Sequence, residues 1–183
     1  MISGLHIGEL VRRVLVEAAD KGILFNGLSL KELSLISKKD SFPAPYLSVI
    51  LSDSTSSLSK VKAKLNQWGI KGRHVSLKDL EFVKDLCRVV IKRAARITAS
   101  IMFAIVTHID KDLSRKHSIC MDGTLFHKCP CFSNDINNAF LEISSKIFQD
   151  DRGMRINLFS FPDSSGVGAA IVAATSVLHA KSK

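Results

Sequence analysis

The stretch with the clearest chemical potential is a Gly-rich turn between a short apolar run and a helix of small residues. The apolar run is Arg155 to Phe161, the turn is Asp163-Ser164-Ser165-Gly166, and the helix ends near Ala180. A strand that continues through such a turn into a helix presents free backbone N–H groups at the positive end of the helix dipole. The pattern therefore predicts a site for phosphate or another anion. Tight packing of a helix against a sheet produces the same pattern, so a purely structural role for the turn is the open alternative.

A second candidate turn is Asp122-Gly123. It follows a brief apolar segment, Ser118 to Met121, and precedes another, Leu125 to His127. An Asp-Gly pair between two such segments favours a β-hairpin, because both residues tolerate the positive φ angles of a tight turn. The sequence therefore predicts a hairpin here, with Leu125 to His127 as its return strand.

The cysteines offer a possible metal site. His127, Cys129 and Cys131 alternate, so on an extended strand they would share one face and provide three zinc ligands. Pro130 interrupts them, however, and there is neither a CxxC pair nor a fourth ligand. We therefore expect no metal here and expect the four cysteines of the chain to be free thiols.

The bulk composition is that of one globular domain. A chain of 183 residues can bury a core without disulfides, and its 46% apolar and 23% charged residues are ordinary for a soluble protein. No apolar run approaches the roughly 20 residues that span a membrane, and the first residues do not resemble a signal peptide. We therefore expect a cytoplasmic protein without a membrane span.

The net charge of +9 raises the possibility of nucleic-acid binding. The Lys and Arg residues are spread along predicted helices, and the chain has one Tyr and one Trp, too few for an aromatic stacking surface. Solvated helix faces explain this charge better, so we expect no nucleic-acid partner.

Helical periodicity dominates the first two thirds of the chain. The first helix is predicted from Gly4 to Lys21, with Ser3 as its N-cap and Gly22 as its stop. Ser76 and Asp79 form a cap before a helix of about thirty residues that ends near Ile109. Shorter helical segments are predicted after the Ser29/Glu32 capping box, from Tyr46 to Leu51, and from Leu58 to Trp68.

The last third mixes strands and helices. A helix from Phe132 to Phe148 precedes a strand, Ile156 to Phe159, which leads into the Gly-rich turn. The predicted order is β-hairpin, α, β, turn, α, after a helix-rich front. We expect a single domain over residues 1–183, with a helical part at 1–112 and the mixed part at 113–183.

Four blocks of the sequence together carry a family resemblance: Met1 to Arg12, Cys87 to Arg96, Met121 to Phe126 and Asp163 to Ala170. In this order they resemble the large domain of eukaryotic hexokinases. The resemblance implies an α/β, ribonuclease-H-like fold of the actin-like ATPase and sugar kinase superfamily. It also implies that the chain is the C-terminal portion of that large domain, since the methionine matching Met1 is internal in the family.

The resemblance further implies an adenosine pocket. The Gly123 backbone would approach the nucleotide, Thr124 would lie near phosphate, and Asp163 to Gly166 would border the ribose and α-phosphate. Ala44 to Ser48 match a segment on the adenine side. The nucleotide-binding positions implied in this way are Gly4, Leu5, Gly123, Thr124, Leu125, Lys128, Asp163, Ser164, Ser165 and Gly166.

The implied parent enzyme transfers the γ-phosphoryl group of ATP to the 6-hydroxyl of a hexose with Mg²⁺. By the same resemblance, the catalytic aspartate, both phosphate loops and the sugar-binding residues lie outside these 183 residues. The expected partners are therefore ATP, the rest of the hexokinase chain and, through it, the hexose. We expect no catalytic residue in this chain and no turnover by it alone. Because the rest of the enzyme would cover apolar surface, the isolated chain is expected to self-associate.

Four positions depart from the family pattern. Ser164 replaces a glycine that many relatives have, Ala44 replaces a threonine, and Cys129 and Cys131 replace a Lys-x-His-Pro-His type run. A Cβ at Ser164 narrows the room for close approach of the backbone to a ligand. These departures motivate an alternative, a non-catalytic hexokinase-like module with weakened nucleotide binding.

Overall fold

The computed structural model describes residues 2–160 and 166–173, and most of these are helical. The first helices are α1 (Gly4–Asp20), α2 (Leu30–Ser37), α3 (Ala44–Leu51), α4 (Ser59–Trp68) and the long α5 (Leu77–Ile109). They are followed by β1 (His117–Met121), α6 (Thr124–Lys128), α7 (Pro130–Phe148), β2 (Ile156–Ser160) and α8 (residues 166–173). Within these ranges, no helix has the length and apolar character needed to cross a membrane.

Helix α5 is the central element, and α1, α3, α4 and α7 all pack against it. Its buried residues recur at helical spacing between Leu80 and Val106, and the predicted extent of the helix, to Ile109, is confirmed. The apolar period predicted for its last turns is wrong about the buried face, because Ile101, Ile105 and Ile109 are exposed while Phe103 and Val106 are buried. Ala95 and Ala99 are fully buried, which lets neighbouring helices approach closely. Toward the C-terminal end, the Phe103 ring centroid lies 6.4 Å from those of Phe140 and Phe148. The core therefore runs along both sides of this one helix.

Two predicted helix starts are confirmed as capping boxes. The Ser76 hydroxyl accepts a hydrogen bond from the Asp79 N–H at 3.2 Å, and the Asp79 carboxylate accepts one from the Ser76 N–H at 2.7 Å. Ser29 and Glu32 make the same pair of bonds at the start of α2. Ser3 is the N-cap residue of α1, as predicted, but its hydroxyl hydrogen-bonds His6 Nδ1 at 2.7 Å and makes no capping bond to a backbone N–H.

The predicted β-hairpin is also wrong. Leu125 to His127 belong to helix α6, in which the His127 N–H donates to the Gly123 carbonyl at 3.1 Å. Strand β1 pairs in parallel with β2, and Met121 lies opposite Ser160. Parallel strands need a long crossover, which α6 and α7 provide. The positive φ of Gly123, 149°, thus serves the entry into a helix rather than a two-residue turn.

The parallel pairing places the ends of the two strands side by side. Both strands end at the same edge of the sheet, so the chain leaves β1 at Asp122 and leaves β2 after Ser160 side by side. The prediction of an α/β fold with a helix-rich front is confirmed, and all strands among the described residues lie after residue 116. The assignment of residues 1–183 to one domain, divided at residue 112, stays a prediction.

Helix α1 is held against the segment that leads into α3. The Arg12 guanidinium binds both carboxylate oxygens of Glu9 at 2.7 Å and donates to the Ser37 carbonyl at 2.9 Å. The Glu9 carboxylate also accepts the Asp40 N–H at 3.1 Å. The hydrogen bonds from Arg12 hold the pKa of Glu9 well below its ordinary value, against the opposing effect of burial. Together these contacts fix the start of α1 beside Ala44.

Gly8 is the position at which α1 touches this segment most closely, and replacing it with alanine should destabilise the protein. An alanine Cβ would overlap the Phe42 carbonyl oxygen and lie 3.1 Å from the Ala44 nitrogen, both of them backbone atoms. We expect Gly8→Ala to lower the free energy of unfolding by about 2 kcal/mol, although alanine normally favours a helix. Urea denaturation followed by the fluorescence of the buried Trp68 measures this.

Gly168→Ala is the matched control, because Gly168 is also helical and a methyl group added to it would have no atom within 4 Å. It should leave the stability unchanged or raise it slightly. A Gly8→Ala protein as stable as the parent would contradict the close packing of α1 on this segment.

Candidate functional site

A cavity of about 600 Å³ lies at the carboxyl end of β1. Four elements meet around it: the start of α1, the turn between β1 and α6, Thr98 of α5 and Phe132 of α7. Its volume falls within the range of pockets that take nucleoside-sized ligands. Its lining is formed by Ile2, Ser3, Gly4, Thr98, Met121, Asp122, Gly123, Thr124, Leu125, Phe126 and Phe132.

Gly123 forms an open wall of this cavity. A Cβ built on it would have no atom within 4 Å, and its φ of 149° is one that L side chains rarely adopt. A ligand can therefore approach the backbone here more closely than at any side-chain-bearing residue. The approach of a nucleotide to Gly123, which the family resemblance implies, stays a prediction that this open space is compatible with.

A smaller adjoining cavity, of about 50 Å³, brings three distant segments together. Gly4, Thr124 and Leu125 line both cavities. A Cβ at Gly4 would lie 3.5 Å from that of Ala44, so α1 and α3 are in direct contact at this point. The remaining lining residues of the smaller cavity are Ala44, Pro45, Ser48 and Lys128.

His127 connects the ends of the two strands. Its Nδ1 is hydrogen-bonded to Ser160 Oγ at 2.7 Å, and its Nε2 lies 3.7 Å from Asp122 Oδ1. The sequence pattern placed His127 on a predicted return strand and Ser160 in the apolar run before the Gly-rich turn, and it assigned no contact between them. Their contact depends on the parallel pairing of β1 and β2, for which the sequence pattern gave no local signal.

The cysteines lie at the junction of α6 and α7, with Cys129 Sγ 3.0 Å from Cys131 Sγ. His127 points instead toward Ser160 and Asp122. Over residues 2–160 and 166–173, no three His, Cys, Asp or Glu side chains converge as a metal site would require. The three alternating residues therefore do not share one face of a strand, because His127 and Cys131 are helical and Cys129 lies between α6 and α7.

The structure brings together most of the predicted nucleotide-binding positions that it describes. Gly4 and Leu5 begin α1, while Gly123, Thr124, Leu125 and Lys128 form the turn and helix α6. Gly166 is the first described residue of α8, is exposed and lines neither cavity. Asp163, Ser164 and Ser165 lie outside the described residues. The cavity residues Ile2, Ser3, Thr98 and Phe132 were not predicted, since helical periodicity marks such positions only as helix faces.

Comparison with known proteins bears on this arrangement. Residues 1–175 match the family model described as hexokinase. Rat Hexokinase-1 is 33% identical over 97% of this chain, which corresponds to 18% of the rat protein. Arabidopsis thaliana Hexokinase-2 is 29% identical over 96% of this chain and 34% of its own length. The chain thus spans about a fifth to a third of these relatives.

A solved structure shows the same relationship. A hexokinase from Schistosoma mansoni, complexed with glucose, superposes with a TM-score of 0.77 and 26% identity. The match covers 94% of this chain and 36% of the schistosome chain. The fold, four ordered sequence blocks and a family model that spans nearly the whole sequence agree, and the chain belongs to the hexokinase family.

Proposed function

We propose that this chain supplies the adenosine side of the ATP site of a hexokinase that phosphorylates a glucose-like hexose at its 6-hydroxyl. The observation that carries the proposal is the meeting of Gly4, the 44–48 segment and the 123–128 segment around two adjoining cavities. These segments are far apart in sequence, and each matches a nucleotide-binding block by the family resemblance. The schistosome relative with bound glucose supports a hexose as the acceptor.

In this proposal the residues of the chain bind and orient the nucleotide. Gly123 leaves room for the nucleotide against the backbone, and the exposed Thr124 offers a hydroxyl near the phosphates. Leu125 and Lys128 border the base, with Ala44 and Ser48 opposite them. By the family resemblance, residues 163–166 would border the ribose; of these the structure describes only Gly166. The cavity volume fits adenosine, so ATP is the proposed ligand.

The phosphoryl transfer itself is assigned to the rest of the enzyme. Mg²⁺, when bound, neutralises the β- and γ-phosphates, and a carboxylate accepts the proton of the hexose hydroxyl. We assign the Mg²⁺ ligands to the rest of the enzyme because the described residues bring no acidic cluster to the cavity. This chain contributes binding energy and orientation, which position the γ-phosphate for attack.

The rest of the hexokinase chain is the proposed main partner. The outer face of α5 exposes Ile101, Ile105 and Ile109, a row at helical spacing that the remaining chain would cover. Without that cover, the isolated chain is expected to self-associate through this surface. We place the enzyme in the cytoplasm, a compartment in which structural disulfides are rare and free cysteines are usual.

A second candidate is a non-catalytic hexokinase-like module with weakened nucleotide binding. The observation that favours it is Ala44, which presents a methyl group to the smaller cavity where a hydroxyl could have bound the nucleotide. The serine at position 164 supports the same candidate, but this residue lies outside the described ones. The two candidates differ in whether the full-length protein binds ATP.

Two assays separate these possibilities. The isolated chain, supplied with ATP, Mg²⁺ and glucose, should release no ADP above the background, whereas the full-length protein should release ADP only when glucose is present. Calorimetric titration of the full-length protein with ADP should then give micromolar binding. Glucose-dependent ADP release by the chain alone would contradict the assignment of phosphoryl transfer to the rest of the enzyme. Absence of nucleotide binding by the full-length protein would favour the second candidate.

A further inference from the structure

The pair of cysteines at the start of α7 has a geometry that the nucleotide site does not explain. The two sulfurs lie 3.0 Å apart, inside the usual contact distance of two thiols and about 1 Å longer than a disulfide bond. One residue separates the cysteines, so their Cα atoms are at most about 7 Å apart, near the range that a disulfide spans. A small displacement would therefore join them.

We propose that Cys129 and Cys131 form a site of reversible oxidation, in which peroxide converts the two thiols into an intramolecular disulfide. The proposal rests on the placement of these sulfurs and does not depend on nucleotide binding. It goes beyond the proposed kinase function, because neither sulfur takes part in holding ATP.

The surroundings of the pair favour a thiolate. The hydrogen bond from the Cys131 thiol lowers the pKa of Cys129 to about 7, against the opposing effect of burial, and the Phe132 N–H and Ser48 hydroxyl add to the lowering. The same interaction, with burial, raises the pKa of Cys131. Arg88 favours negative charge on Cys131, and its buried partner Asp135 opposes it.

Access to the pair is through Cys131. Cys129 is 1% exposed, whereas Cys131 is half-buried and reaches the surface. The other cysteines lack this combination. Cys87 is buried, with its pKa raised to about 12 by burial, and Cys120 is exposed but has no cysteine beside it. The proposed reaction therefore singles out one pair among the four thiols.

The chemistry balances with hydrogen peroxide as the oxidant. The thiolate of one cysteine attacks a peroxide oxygen, the O–O bond breaks, and a sulfenic acid and hydroxide form. The thiol of the other cysteine then attacks the sulfenic sulfur, and the S–O bond breaks with release of water. The two sulfurs lose two electrons in total, which reduce peroxide to two water molecules. A dithiol such as dithiothreitol reverses the change by thiol–disulfide exchange.

The loop closed by this disulfide would contain a single intervening residue, Pro130. The disulfide would therefore add little to the stability of the fold, because so short a loop restricts the unfolded chain only slightly. Such a disulfide is expected to be readily reduced, as regulatory disulfides are. It would lie next to Lys128 and Ser48, which line the smaller cavity. Under the proposed function, oxidation would thus change the wall of the nucleotide site.

Peptide mass spectrometry of the full chain tests the proposal. Trypsin separates the two cysteines of interest, in the peptide of residues 129–146, from Cys120, in the peptide of residues 117–128. After peroxide treatment and alkylation, we expect the 129–146 peptide to lose two hydrogen atoms and to resist alkylation. Dithiothreitol should restore two alkylation sites in that peptide.

Two variants serve as controls. Cys120→Ser should leave the oxidised 129–146 peptide unchanged, whereas Cys131→Ser should abolish its loss of two hydrogen atoms. The proposal would be overturned by full alkylation of both cysteines after peroxide, by irreversible addition of oxygen in place of a disulfide, or by cross-linking through Cys120 alone. Because the unsubstituted chain gives the main result, a poorly folded variant would not obscure the test.

Discussion

Gly123→Val is expected to weaken ADP binding at least about tenfold, a loss of about 1.4 kcal/mol of binding free energy. The valine side chain would project into space that is empty within 4 Å of its Cβ, at the wall where the nucleotide is proposed to lie. The free energy of unfolding would fall by only roughly 1–3 kcal/mol, because a side chain is strained at a φ of 149°. Calorimetric titration of the full-length protein with ADP measures the change.

Gly22→Val is the matched control. Gly22 also has a positive φ, 66°, and open space around it, but it follows α1 and lies away from both cavities. This variant should lose a similar amount of stability and keep its affinity for ADP. If both variants bound ADP equally well, Gly123 would not border the nucleotide.

Arg12→Met is expected to lower the free energy of unfolding by about 3 kcal/mol. Arg12 is 7% exposed, and its loss would leave Glu9 without its two-pronged partner and the Ser37 carbonyl without a donor. This loss lies at the lower end of the range expected for breaking a buried ion pair, because Arg13 and the Asp40 N–H still bind Glu9. Urea denaturation at pH 7 measures the loss.

Arg13→Met provides the comparison, since Arg13 binds the same carboxylate at 3.0 Å but is 71% exposed. It should cost less than about 1 kcal/mol. Equal losses for the two variants would contradict the buried role of Arg12.

The Arg12→Met effect should also depend on pH. The pKa of Glu9 in the folded protein lies well below its ordinary value of 4.5, chiefly because of the Arg12 hydrogen bonds. A carboxylate with a lowered pKa stabilises the fold above the pKa of the unfolded state, and this contribution disappears as the pH falls through the folded-state pKa. The difference between the parent and Arg12→Met should therefore be constant above about pH 5 and shrink on acidification.

The helices could be predicted where sequence-local rules govern them. The Ser76/Asp79 capping box and the apolar period from Leu80 onward both depend on residues within one or two turns, and α5 formed as they predicted. Gly69 likewise ends α4 with a φ of 114°. These signals do not depend on what the helix packs against.

The strand arrangement could not be predicted in this way. Asp122-Gly123 is compatible with a hairpin turn and with the entry into a short helix, because both use the conformational freedom of glycine. The pairing of Met121 with Ser160 decides between them, and these residues lie far apart in sequence. The same long-range pairing creates the contact between His127 and Ser160, which no local sequence pattern predicts.

The site was accessible from sequence only through the family resemblance. Gly4 and Thr124 have no distinguishing chemistry in their own neighbourhoods, and Ala44 lies in an ordinary Pro-rich loop. The structure shows that they line one cavity, since α1, α3 and α6 meet there. The Cys129–Cys131 contact was missed because the alternating residues were considered on a strand rather than at a helix junction.

The most direct test of the proposed adenosine site is a backbone-amide NMR titration of this chain with ADP. We predict saturable shift changes at Gly4 and over residues 44–48 and 123–128, with no comparable change at Gly22 or along α2. Binding is expected to be weaker than in the full-length protein, because the phosphate contacts of the remaining chain are missing. Absence of any shift at millimolar ADP, or shifts confined to other surfaces, would contradict the proposal that this chain forms the adenosine side of the site.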